Sequence, residues 1–265
     1  MKEHRPRRRF GQHFLADRHY IARILAAVAP ARGDNMVEIG PGLAALTAGL
    51  IEGAGTIAAV EIDRDLVAKL RSEYAPSALA LHEDDVLEFD FATLGPNLRV
   101  VGNLPYNISS PILFRLAQYE TQLRDIHVML QKEVVLRMAA EPATPDYGRL
   151  TVMLKARFAV ARLFNIPPGA FSPPPKVDSA FVRLTPLRDA RPVQDDPALF
   201  EAIVKAAFGQ RRKTLRNALS ALCDDAAIRA AGIDPSARGE TLSVADFIRL
   251  ANALAGAETR RKAAR

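Results

Sequence analysis

The sequence predicts an α/β domain built on a mainly parallel, seven-stranded sheet, followed by a small all-helical domain. Three observations predict it. Seven short apolar runs alternate with stretches of helical periodicity, the pattern of successive βαβ units. No strand-like run follows Pro186. Of the 265 residues, 49% are hydrophobic and 25% charged, enough apolar material for one large domain and a small appendix. The expected boundary near Pro186 divides the chain into residues 1–186 and 187–265.

The elements follow in order. Asp17 can cap a helix over residues 18–28, with Ile21, Ile24, Leu25 and Val28 on one face. Strands are predicted at residues 36–39, 56–61, 78–81, 99–102, 126–130, 157–164 and 180–184. Helices fit between them at 44–52, 64–73, 111–117 and 132–140. Beyond residue 186, Asp196-Pro197 supplies an N-cap and a first helical residue, opening a helix that carries Phe200, Ile203, Val204, Ala207 and Phe208. A second helix is predicted over 211–222, and Ser243 can cap a third over 244–254.

Several classes are excluded. Cys223 is the only cysteine, so neither an intrachain disulfide nor a cysteine-based zinc cluster is possible, and it is read as a small buried apolar residue. The longest uncharged stretch, residues 100–114, holds two prolines and two asparagines and suits no membrane-spanning helix. The basic N-terminal stretch lacks an apolar signal core, and the first serine is Ser72, so a cytoplasmic protein is expected.

The net charge of +6 is unevenly spread. Residues 1–10 carry Lys2, Arg5, Arg7, Arg8 and Arg9 against Glu3. Residues 205–216 carry Lys205, Arg211, Arg212, Lys213 and Arg216 with no acid, and residues 256–265 carry four cations against Glu258. Terminal charge runs are often merely solvated. Five cations within twelve residues repel one another unless an anion lies nearby, which points to a nucleic acid. The RNA-contacting candidates are Arg7, Arg8, Arg9, Arg211, Arg212, Lys213 and Arg216.

The first strand runs into Gly40-Pro41-Gly42, a turn that lets backbone approach a ligand closely. Glu61 ends the second strand at the distance where an acid commonly accepts from ribose hydroxyls, and Asp85 follows the third, placed to accept from an adenine amino group. This pattern suits a dinucleotide and S-adenosylmethionine (AdoMet) equally, since Gly40 to Ala45 also satisfies G-x-G-x-x-A. A tight βα turn without a ligand is the plainer reading.

The fourth strand ends in Val101-Gly102-Asn103-Leu104-Pro105-Tyr106-Asn107. This resembles the (D/N)-P-P-(Y/F) signature of enzymes that methylate exocyclic amines. The adenine N6 lone pair is delocalised into the ring, so two acceptors aimed at its N–H groups would return electron density to nitrogen. Asn103 Oδ1 supplies one. Pro105 disfavours helix at Leu104, freeing the Leu104 carbonyl to be the second. Tyr106 offers a flat face for an extruded base. Asparagine is no strong base, so catalysis would rest on alignment and electrostatics and would need no metal. Read alone, the segment could be only a turn; its place after a fourth strand, a glycine turn and two strand-end acids favours chemistry.

Five segments in order and spacing resemble the ribosomal-RNA adenine N6,N6-dimethyltransferases of the KsgA type. They are Phe10-Gly11-Gln12-His13-Phe14-Leu15, Val37-Glu38-Ile39-Gly40-Pro41-Gly42, Asn103-Leu104-Pro105-Tyr106-Asn107-Ile108-Ser109, Phe171-Ser172-Pro173-Pro174-Pro175-Lys176-Val177 and Gln210-Arg211-Arg212-Lys213-Thr214-Leu215-Arg216. The resemblance implies a Rossmann-like AdoMet-dependent methyltransferase domain with a helical RNA-binding domain. It implies transfer of four methyl groups to two adjacent adenosines in the 3′-terminal hairpin loop of 16S rRNA, within the small subunit or its precursor, by a protein expected to be a monomer. Cofactor contacts carry over onto His13, Leu15, Gly40, Gly42, Glu61, Asp85 and Asn103. Bacterial relatives commonly have Asn where His13 stands; packing beside Phe14 and Leu15 is its plainer role. The catalytic set is Asn103, Leu104, Pro105, Tyr106 and Phe171, the last as a second stacking face opposite Tyr106, or else a core residue. Three other readings compete: a large-subunit rRNA methyltransferase of the antibiotic-resistance type, a ribosome-assembly factor that retains the fold, and an NAD-dependent dehydrogenase.

Overall fold

A computed structural model describes residues 12–190, 192–210 and 212–263. The chain forms two compact units, one of residues 1–135 with 159–186, the other of 136–158 with 187–265. This division differs from a single boundary at Pro186, because residues 136–158 group with the C-terminal segment.

The first unit holds a seven-stranded sheet. Its strands are β2 (Asn35–Ile39), β3 (Ile57–Glu61), β4 (Leu79–Glu83), β5 (Leu98–Asn103), β6 (Leu123–Gln131), β7 (Phe158–Ile166) and β9 (Ser179–Pro186), in the order β4-β3-β2-β5-β6-β9-β7. Pairs β4–β3, β3–β2, β2–β5 and β5–β6 are parallel, and β6–β9 is antiparallel. Their residues are apolar because parallel strands are covered on both faces. The strand order reverses between β2 and β5, so a crevice opens at the carboxyl ends of those strands. All seven predicted strands are present, with their ends shifted by up to three residues.

Helices α1 (Arg18–Val28), α2 (Thr47–Ala54), α3 (Arg64–Glu73), α4 (Ser109–Gln118) and α5 (Lys132–Ala139) connect the strands. Asp17 caps α1 as expected, accepting from the His19 N–H at 2.8 Å. A two-stranded sheet escaped the sequence reading: β1 (Phe14–Leu15) pairs antiparallel with β8 (Phe171–Ser172), setting Leu15 opposite Phe171. It carries the N-terminal motif across to the proline-rich turn.

The second unit contains α6 (Arg149–Lys155), α7 (Pro197–Gly209), α8 (Leu215–Ala218), α9 (Asp225–Ala230) and α10 (Val244–Ala263). Asp196 caps α7 through the Ala198 and Leu199 N–H groups, and Ser243 and Asp246 cap one another's backbone at the start of α10. Phe200, Ile203, Val204, Phe247 and Leu250 fill its core. The predicted helix over 211–222 is a correction: α7 stops at Gly209, Thr214 forms a β-bridge with Arg238, and only the four residues of α8 are helical. Of the described cations in the run, Lys205 lies on α7, Arg216 on α8, and Arg212 and Lys213 on the turn between them. Cys223 is half-buried rather than buried. Among the described residues, no helix is long and apolar enough to cross a membrane.

Candidate active site

A cleft of about 310 Å³ opens at the carboxyl ends of β2, β3 and β5. It is lined by His13 and Leu15, by Gly40, Gly42, Glu61 and Asp85, and by Asn103 to Ile108. The fold thus brings together every predicted cofactor residue and the whole Asn103–Tyr106 segment.

The floor is the turn after β2. Gly40 and Gly42 have φ of 64° and 58°, which glycine adopts without strain. A Cβ on Gly42 would lie 3.1 Å from the Phe14 ring. Glu61 is fixed by backbone: Oε1 accepts from the Asp63 N–H at 2.9 Å and Oε2 from the Gly42 N–H at 3.3 Å. Burial pushes its carboxyl above the ordinary glutamate range, and those two N–H groups partly offset that. Each oxygen keeps a lone pair for a ribose hydroxyl. Asp85 Oδ1 accepts from the Leu87 N–H at 2.9 Å, which orients that carboxylate at the cleft wall.

Two lining features were missed in the sequence. Ile62, 45% exposed, follows Glu61 directly, and with Val86 it gives the cleft the apolar walls a purine needs. Glu38, only 2% exposed, also lines the cleft and accepts from Thr47 Oγ1 at 2.7 Å. Burial, with repulsion from Glu61, raises its carboxyl to about 7 despite the Thr47 bond. A glutamate inside an otherwise apolar strand was the available signal.

The Asn103 side chain is oriented by a contact 90 residues away. Its Nδ2 donates to the His13 carbonyl oxygen at 2.7 Å. A carbonyl oxygen can only accept, so this contact fixes which end of the amide is which. Oδ1 is left as the open acceptor in the cleft that Asn103 lines. Gly102 lets β5 approach β2 just before this point: a Cβ there would lie 2.7 Å from the Ile39 carbonyl oxygen. The Leu104 N–H is taken by the Met129 carbonyl at 3.2 Å, while the Leu104 side chain is buried. The Tyr106 hydroxyl bonds Ser179 Oγ at 2.5 Å, which holds the ring upright. Burial raises the Tyr106 phenol above its ordinary value, so it stays neutral.

One expectation needs correction here. Phe171 is 4% exposed, sits in the core with Leu15, Ile166 and Phe181, and is absent from the cleft lining. Its strand pairing with Leu15 draws the ring inward, so the core role holds in place of the stacking one. One face of Tyr106 is already covered: the His13 ring stacks on it with centroids 5.6 Å apart and planes 27° apart.

Of the predicted RNA contacts, Arg7, Arg8, Arg9 and Arg211 lie outside the described residues. Arg212 and Lys213 are exposed. Arg216 is engaged: its Nε lies 3.0 and 2.8 Å from the two Asp225 carboxylate oxygens. That fork is closed to phosphate unless Asp225 is displaced. Among the described residues, no cluster of His, Cys, Asp or Glu is arranged to hold a metal ion.

A doubly wound sheet with a glycine turn, strand-end acids and an amide acceptor beyond its central strand defines the α/β methyltransferases that act on amines. Residues 3–256 match the family model described as ribosomal RNA adenine dimethylase. The chain belongs to that family. It is 56% identical over 260 residues to the ribosomal RNA small subunit methyltransferase A of Aromatoleum aromaticum, with 98% of each chain covered. It is 55% identical to the protein of that name from Thiobacillus denitrificans, covering 92% of this chain and 96% of the relative. Among solved structures it is similar to a dimethyladenosine transferase from Plasmodium falciparum, with a TM-score of 0.74 and 25% identity over 90% of this chain and 96% of that one. It is also similar to the 23S rRNA methyltransferase ErmE, with a TM-score of 0.66 and 29% identity over 91% and 99%.

Proposed function

We propose that the protein transfers methyl groups from AdoMet to N6 of two adjacent adenosines in the 3′-terminal hairpin loop of 16S rRNA, acting in the cytoplasm during small-subunit biogenesis. The observation that carries this reading is the pinned Asn103 amide, with Oδ1 left open beside Tyr106. The cleft suits AdoMet: Glu61 can accept from the ribose, Ile62 and Val86 supply apolar lining for the purine with Asp85 beside them, and the Gly40–Gly42 turn admits the amino-acid end.

When bound, AdoMet supplies an electrophilic sulfonium methyl. The protein's task is to present the amine. Asn103 Oδ1 and the Leu104 carbonyl accept from the N6 protons and draw the lone pair out of the ring. The uncovered face of Tyr106 receives the extruded base, worth about 1–3 kcal/mol of stacking. At each transfer N6 gains a carbon, the sulfur–carbon pair returns to sulfur, and one N6 proton leaves to water. Arg212 and Lys213, together with the N-terminal arginines, supply phosphate attraction that positions the RNA without reading its sequence.

Small-subunit rRNA is favoured over large-subunit rRNA by identity: the small-subunit methyltransferase from Aromatoleum aromaticum is 56% identical, ErmE 29%. The test is methyl transfer to purified small and large subunits that lack the modification, with mass mapping of the product. Dimethyladenosine on the small subunit alone is expected. Asn103→Ala is expected to lower turnover at saturating AdoMet by about 10²–10³, the usual effect of removing one catalytic hydrogen-bonding group. Unchanged turnover in that variant would remove the mechanism.

A further inference from the structure

We propose that His13 is a positioning residue that keeps Asn103 turned acceptor-outward, and that its side chain governs passage from the first methylation to the second. The inference rests on the reading above and adds a role that cofactor contact does not require.

Three interactions meet at His13. Its backbone carbonyl accepts from Asn103 Nδ2 at 2.7 Å. Its ring Nδ1 lies 2.8 Å from the Pro173 carbonyl oxygen. Its imidazole stacks on Tyr106. Because Pro173 O can only accept, Nδ1 is the donor in this contact. The side chain is thus anchored at its edge and on its face, and the anchored residue offers its carbonyl to Asn103.

The consequence differs between the two transfers. An unmethylated N6 presents two protons to two acceptors, Asn103 Oδ1 and the Leu104 carbonyl. A monomethylated N6 presents one. If the Asn103 amide were free to flip, Nδ2 would face the amine and repel its remaining proton. A first transfer tolerates that error through the Leu104 carbonyl. In the second transfer, a first methyl lying toward the Leu104 carbonyl leaves Asn103 Oδ1 as the acceptor for the one remaining proton. Loosening His13 should therefore slow the second step more than the first.

The test compares the full chain with His13→Asn, His13→Asp and His13→Ala on unmodified small subunits at saturating AdoMet. Mono- and dimethyladenosine are separated by mass, AdoMet Kd is measured by equilibrium dialysis, and folding is checked by thermal melting. Asn and Asp have the same shape, but only Asn can donate to Pro173 O, so this pair isolates the anchor even if His13→Ala melts early. The second transfer is expected to slow about three- to tenfold in Asp and Ala, the factor for one ordinary hydrogen bond. Monomethyladenosine should accumulate in Asp and Ala but not in Asn, and this change in product ratio should exceed any change in AdoMet Kd. A wild-type product ratio in the Asp variant would overturn the proposal. So would an activity loss that tracks weakened AdoMet binding with the ratio unchanged. Absence of dimethyladenosine from the wild-type reaction would instead overturn the function proposed above.

Discussion

Replacing Glu38 by Gln tests whether the cleft holds a carboxylate that folding keeps protonated. Burial and the neighbouring Glu61 raise its value from 4.5 to about 7. The sign follows from proton counting. Between those two values the folded chain binds a proton at this site and the unfolded chain does not, so stability falls as pH rises through that window. Above about pH 7 the full difference has been lost, about 3 kcal/mol at 1.36 kcal/mol per pH unit. Glutamine keeps an oxygen for the Thr47 hydroxyl and never ionises. The variant is therefore expected to match the wild type near pH 4.5 and to exceed it above pH 7, in melting temperature by about 6–12 °C. Melting of both proteins without cofactor, from about pH 5 to about pH 9 in one buffer series, reads this directly. A gap between the two curves that stays constant across the series would sink the reasoning, because it would mean that Glu38 is ionised throughout.

Gly102→Ala is expected to cost about 1–3 kcal/mol in denaturant unfolding and to lower methyl transfer as well, because the new Cβ meets the Ile39 carbonyl one residue before Asn103. Arg99→Met leaves Asp125 without its guanidinium partner and is expected to destabilise by about 3–5 kcal/mol at neutral pH. Burial would raise both carboxyls, but contact with His127 and bonds from Arg99 hold Asp125 below its ordinary value, and the Ala31 N–H, then Arg99, hold Asp34 low likewise. Their contribution is present above the unfolded value of 3.8 and is lost as pH falls through the lower folded values, so acid unfolding should flatten in the variant. The double change Arg212→Ala and Lys213→Ala is expected to weaken rRNA binding and to reduce the slope of log affinity against log salt by about two; an unchanged slope would place the phosphate contacts elsewhere.

The sheet was legible because each parallel strand is a short apolar run bounded by turn residues, which needs no partner to be recognised. The strands β1 and β8 were not, since two residues carry no alternation and pair only across 156 and 158 positions of chain. Gly40, Glu61 and Asp85 could be named from spacing, as they stand at or just past strand ends, whereas His13 and Leu15 came only with the family resemblance. What those residues do to one another was hidden. Nothing local shows that His13 holds Asn103, that Asp225 holds Arg216, or that Phe171 faces the core. The helix read over 211–222 failed for a related reason. Leu215, Leu219 and Leu222 have helical spacing, but Thr214 is tied to Arg238, and tertiary pairing overrode the pattern.

The two ends of β5 explain one another. Its last residue, Asn103, presents its amide to the cleft in the register that sets it opposite Met129 of β6. A one-residue slip would turn Asn103 to the opposite face of the sheet. Arg99 stands four residues earlier on the same face. It bonds Asp125 on β6, Asp34 before β2, and the Val28 and Ala29 carbonyls at the end of α1. A slip would break all of these at once and bury unpaired charge. The buried ion cluster thus has a use that its modest net stability would not explain: it fixes which face of β5 the reactive amide occupies.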